Sequence, residues 1–178
     1  MNIKNPRTLI LSALFCALTT IATMTFKLPT VNGYIHLGDG FVLLSGIILG
    51  PFLGGLTAGI GSMLADLLLG YAIFAPATFV IKALAALTAG ICFHKCKKIF
   101  KNRKEQNIFC GILSGIPASI IVTSGYFIYE TFLYTIGAAA LGIYTNLLQN
   151  LAGVIIAVVL IPVLVKIPDV NNQINQNK

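Results

Sequence analysis

The residues of this chain that could do chemistry are few, and most are embedded in apolar runs. Asp39, Asp66, Lys82 and Glu130 carry charge, Asn146, Gln149 and Asn150 carry amides, and Tyr34 and His36 stand just ahead of Asp39. Ionisable groups surrounded by apolar sequence are costly to keep and mark function by default. Carboxylates, an ammonium and carboxamides suit hydrogen-bonded capture of a small polar solute. Their spacing makes no catalytic set. The sequence has no G-x-x-x-x-G-K-[ST] phosphate loop, no H-E-x-x-H and no G-x-S-x-G elbow, and its only histidines are His36 and His94. Asp39 and Asp66 are too far apart for a tandem carboxylate metal motif. Cys92, His94 and Cys96 alternate, but none of the four cysteines, Cys16, Cys92, Cys96 and Cys110, has C-x-x-C spacing. They read as small apolar or interfacial side chains in a reducing compartment. No metal and no cofactor are expected.

The elements that must position these residues are membrane helices. The chain has 178 residues, 57% hydrophobic and 10% charged, against about 25% charged in a soluble domain. A spanning helix needs about 20 apolar residues. The runs give helices over residues 8–26, 38–49, 52–69, 75–93, 108–129 and 141–165, with a polar connection at 28–37 and a basic one at 94–106. The stretch 38–69 is too long for one span, and Gly50-Pro51 divides it, because proline removes a donor and restricts the residue before it. The first apolar run is long for a signal peptide and lacks an A-x-A site, so it reads as a retained helix. The expectation is an all-α integral membrane protein: one six-helix domain over 1–168, then a polar, frayed tail over 169–178.

Charge gives the direction. Of twelve lysines and arginines, ten fall on one side of a six-helix layout: Lys4, Arg7, Lys95, Lys97, Lys98, Lys101, Arg103, Lys104, Lys166 and Lys178. Lys27 falls on the other side and Lys82 lies within a span. The positive-inside rule then places both termini in the cytoplasm. The net charge of +7 flanks apolar runs in short segments and does not point to nucleic acid. In this layout every strong intramembrane polar residue lies in the outer half, which predicts a pocket open to the outside. Each has a structural reading as well. Asp39 suits a helix N-cap. Lys82 suits an ion pair with Asp66 or Glu130. Asn146 and Asn150, four apart on one face, suit interhelical hydrogen bonding. Tyr34, Tyr71, Phe74, Tyr126 and Tyr129 suit an interfacial belt or a surface for a flat ligand.

Three segments carry a resemblance: Ala13-x-x-x-Ala17 on helix one; Gly33-Tyr-Ile-His-Leu-Gly-Asp39 followed by Leu-Gly-Pro-Phe-Leu-Gly-Gly and Gly61-Ser-Met-Leu-Ala-Asp66; and Ala75-Pro-Ala-Thr-Phe-Val-Ile-Lys82. With them the chain resembles the substrate-binding S component of energy-coupling factor (ECF) vitamin transporters over nearly its whole length. The resemblance implies a multi-pass bacterial cell-membrane protein that is not itself an enzyme. It would bind a water-soluble vitamin near the outer face: pyridoxine or hydroxymethylpyrimidine first, then riboflavin or pantothenate. It implies a membrane T component and two ATPase subunits as partners, with delivery by toppling in the bilayer. Ala13 and Ala17 would dock on the T component, and residues 32–36 would form a lid. Lys82, Glu130, Asn146, Gln149, Asn150, Tyr34, His36 and Asp39 are the expected substrate-binding residues. The alternatives are an intramembrane enzyme acting on a lipid-linked substrate and a scaffold subunit without a ligand.

Overall fold

The computed structural model describes residues 6–25, 27–29, 34–100 and 106–176, with backbone alone at 27–29 and at Tyr34. The expected lid residues Asn32 and Gly33, the Tyr34 side chain, and Lys101, Arg103 and Lys104 lie outside the described set. The elements are α1 (Pro6–Thr25), β1 (Lys27–Pro29), β2 (Tyr34–His36), α2 (Asp39–Leu49), α3 (Pro51–Leu68), α4 (Ala75–Ile99), α5 (Gln106–Leu133), α6 (Ile136–Leu164) and α7 (Pro168–Gln176). Five of the helices, α1, α3, α4, α5 and α6, are long and apolar enough to cross a membrane. At 1.5 Å per residue, α2 is only about 16 Å long, against a hydrocarbon thickness of about 30 Å.

The chain breaks where glycine and proline demand it. Gly50 has φ +88°, a conformation closed to most side chains, and Pro51 opens α3, where no backbone donor is needed. The short α2 is the hub of the bundle. Val42, Leu44, Ile47, Ile48 and Leu49 are almost wholly buried, and α1, α3, α4, α6 and α7 pack around them. Close approach is possible because small residues meet. A Cβ added to Gly46 on α2 would collide with the backbone carbonyl of Ala86 on α4, and one on Gly61 would stand 2.7 Å from the Cys16 carbonyl on α1. The outward faces of α5 and α6 expose Ile116, Ile120, Leu151 and Val159, as lipid contact requires.

Four features depart from the sequence reading. α4 does not stop at residue 93 but continues to Ile99, because Lys97 and Lys98 favour its C-terminal dipole and hydropathy marks only the apolar part of a helix. That extension brings Cys96 opposite Cys110 on α5, with Cα atoms 5.5 Å apart, in a disulfide; only Cys16 and Cys92 stay free. The connection after α1 holds a small antiparallel ribbon, Lys27 facing His36 and Pro29 facing Tyr34. The tail is not frayed: it forms α7, with Val170 and Ile174 four apart and buried in the common core.

Replacing Gly46 with alanine should lower thermal stability in detergent by about 1–3 kcal/mol, the usual cost of overpacking. An unchanged melting temperature would mean that α2 and α4 are not in backbone contact there.

Candidate functional site

The site begins with Lys82, whose side chain is entirely buried on α4. An isolated ammonium there would be untenable, so its partner defines the structure. That partner is Asp39, not Asp66 or Glu130: Lys82 Nζ donates to Asp39 Oδ1 at 2.6 Å. The Gly46–Ala86 approach explains the choice, since it holds α2 beside α4 and brings the start of α2 level with Lys82. Asp39 is therefore not the N-cap. Gly38 occupies that position without a side-chain cap bond, while Asp39 stands in the first turn, where the helix dipole favours a carboxylate.

Gln149 on α6 completes the group. Its Nε2 donates to Asp39 Oδ2 at 3.0 Å, and its Oε1 accepts from the His36 backbone N–H at 3.0 Å. One amide thus joins the buried ion pair to the β1–β2 ribbon. His36 is buried, and its Nδ1 accepts from the Gly38 backbone N–H at 3.1 Å, so that nitrogen is unprotonated. Burial pushes the His36 imidazole down to about 4.

Of the other expected residues, Asn150 is buried and donates to Ser119 O at 3.2 Å and Thr123 Oγ1 at 3.0 Å on α5. It is interhelical glue that also borders the site, for Asn150, Ser119 and Asp39 line one small void of about 10 Å³, room for about one water. Glu130 is buried against α6, its carboxylate filling the space beside Gly142. Asn146 is only half-buried, and its side chain makes no hydrogen bond among the described residues, although it shares a helix face with Asn150. Ala13 and Ala17 lie on the exposed face of α1 together with Ile10, Leu14 and Ile21.

Thr78 escaped the sequence reading of the site, and Tyr126, named there for an interfacial belt or a flat-ligand surface, stands beside Lys82. The Tyr126 ring lies 5.2 Å from Lys82 Nζ, and its hydroxyl pairs with Thr78 Oγ1 at 2.9 Å. Thr78 is four residues from Lys82 on one helix face, a spacing that could have flagged it. Phe74 and Tyr129 stack edge-on with centroids 5.8 Å apart, and the Tyr129 hydroxyl donates to the Ile73 carbonyl. No group of three His, Cys, Asp or Glu side chains among the described residues is placed to hold a metal. A larger, mostly apolar groove of about 690 Å³ lies between α5 and α6, with Asn150 and Ser119 in its wall. Among the described residues, Asp39 borders the small void and not this groove.

Lys82→Met should cost about 3–5 kcal/mol in unfolding free energy, because Asp39 is left buried and unpaired; adding Asp39→Leu should restore much of it. If the single and double variants unfold alike, the pair is not desolvated. Acid should loosen the same region. The unfolded chain protonates His36 near 6.5 and the folded one only near 4, so between those values the unfolded state holds more protons. Stability should fall as pH drops from about 6.5 to 4, and His36→Asn should flatten that slope in a pH series of melting curves.

Residues 3–166 match the family described as ECF-type riboflavin transporter, S component. A Pyrococcus woesei protein described as "Uncharacterized protein in gap 3'region" is 30% identical over 139 residues, covering 77% of this chain and 87% of that one. The crystal structure of the S component for biotin from an ECF-type ABC transporter superposes with a TM-score of 0.72 at 19% identity, covering 98% of each chain. The S component of a bacterial ECF transporter superposes at 0.66 with 20% identity, covering 90% of this chain and 96% of that one. At these identities the superpositions establish the fold.

Proposed function

The chain belongs to the ECF-type riboflavin transporter S-component family, and from that premise we propose that it captures a water-soluble vitamin at the Lys82–Asp39–Gln149 cluster for import. The observation that carries this reading is the array itself. A carboxylate flanked by an ammonium and a carboxamide N–H is a donor–acceptor–donor row. Such a row complements a cyclic imide edge, acceptor–donor–acceptor, as on the ring system of riboflavin. Riboflavin therefore moves ahead of pyridoxine, hydroxymethylpyrimidine and pantothenate, and the family description points the same way.

In this proposal six helices cross the membrane, with α2 as a short central span and both termini in the cytoplasm. The ribbon is the lid on the outer side. Gln149 reports occupancy to it, because a ligand that engages Asp39 competes for the amide that holds His36. The exposed stripe of Ile10, Ala13, Leu14 and Ala17 meets the T component. Two ATPase subunits supply the energy for toppling and inward release, and the substrate undergoes no covalent change. Glu130, Tyr126 and Asn150 border the path the ligand takes.

A thermal-shift screen of purified protein against riboflavin, pyridoxine, hydroxymethylpyrimidine, pantothenate and biotin tests the proposal. Riboflavin at a hundred times its dissociation constant should add about 2.7 kcal/mol of stability. Gln149→Leu, which loses a charge-assisted bond and the lid bond, should weaken binding at least about 30-fold. No shift with any of the five compounds would remove the vitamin reading. Ala13→Leu with Ala17→Leu should leave binding intact and abolish uptake; normal uptake would remove the docking face.

A further inference from the structure

The C-terminal helix α7 lies beyond the residues 3–166 that the family matches, and its sequence, Pro-Asp-Val-Asn-Asn-Gln-Ile-Asn-Gln, is polar enough to be dismissed as a tail. Its placement argues otherwise. Pro168 starts the helix and Asp169 stands in its first turn, both favoured there. Val170 and Ile174 are 3% and 1% exposed, and α7 packs along α2. Between them, Gln173 is also buried, and its Oε1 accepts from Thr8 Oγ1 on α1 at 3.1 Å. The neighbouring Arg7–Asp169 pair, at 3.2 Å, is exposed on both sides and adds little.

Thr8 matters because of what surrounds it. Within residues 6–14 it is the one buried side chain; the others are exposed or half-buried. The first two turns of α1 carry two side-chain bonds to α7, from Thr8 and Arg7, while the helix as a whole packs on α3 and α2. Ala13, the first of the two docking alanines, lies five residues further on, about 7.5 Å along the helix. An apolar contact would hold α1 without fixing its rotation, because hydrophobic attraction is non-directional. A buried hydrogen bond between two side chains fixes both rotation and height.

We infer that α7 is a clasp that positions the partner-docking face of α1, so that coupling to the membrane partner depends on the Thr8–Gln173 bond. This rests on the reading that Ala13 and Ala17 meet the T component. Thr8 and Gln173 act through α1 and are positioning residues. Thr8 stands near the start of α1, and the β1–β2 ribbon follows the other end of that helix.

The test is co-expression of the tagged full-length chain with its T component and ATPase subunits. It measures how much T component is retained on purification, together with the melting temperature of the isolated chain. Thr8→Val keeps the shape and removes the donor; it should reduce retained T component at least about fivefold. Thr8→Ser should restore retention, and the double variant Thr8→Val with Gln173→Leu should melt like wild type yet still fail to retain the partner. A chain ending at Ile167 should fail as well. It also loses Val170 and Ile174 from the core, so Thr8→Val decides the matter if the shortened chain does not fold. Wild-type retention by Thr8→Val overturns the clasp, as does a Thr8→Ser chain that retains no more than Thr8→Val. If Ala13→Leu with Ala17→Leu loses the partner while Thr8→Val keeps it, the clasp alone falls. If the wild-type chain retains no partner, the docking reading falls with it.

Discussion

A lysine ammonium with no solvent exposure sits inside a bundle bounded by lipid, and the rest of the architecture answers to it. In such surroundings a single unpaired charge costs far more than any one contact returns. Asp39 must therefore be held beside Lys82, which means that the start of α2 must be held against α4. The glycine-lined approach at Gly46 and Ala86 performs that task at the backbone level, where little can slip. The shortness of α2 has a local cause: it enters at Asp39, runs through the centre of the bundle, and turns at Gly50-Pro51 although the sequence beyond stays apolar.

The same constraint links the interior to the surface. Asp39 has more acceptor capacity than Lys82 can fill, and Gln149 takes up part of it. The other end of that amide binds the backbone of the ribbon. A change at the carboxylate is thus felt at the ribbon through one side chain, without a long relay. Among the described residues, Asp39 also borders the void of about 10 Å³ that Ser119 and Asn150 line.

Much of this was legible in the residues. Gly50-Pro51 announced the break between α2 and α3, and the apolar runs announced the helices, because both depend on local chemistry. Asp39, Lys82, Gln149 and Asn150 stood out because polar groups are scarce in such sequence. Their pairing did not stand out: which carboxylate meets Lys82 depends on how α2 lies against α4, and no spacing along the chain encodes that. The Cys96–Cys110 bond was hidden for a related reason, since it needs α4 to continue past its apolar portion. α7 was hidden by its composition, because two buried side chains among amides give a weak signal until α2 is there to receive them. Asn146 shows the reverse case, a correct helix face that turns only partly inward.

The most direct measurement is a structure of the purified protein with riboflavin bound. The account predicts the vitamin's imide edge within hydrogen-bond distance of Lys82, Asp39 and Gln149, with the His36 amide released from Gln149 or re-paired to the ligand. Riboflavin lodged in the groove between α5 and α6, with the Lys82–Asp39–Gln149 cluster unchanged, would contradict it.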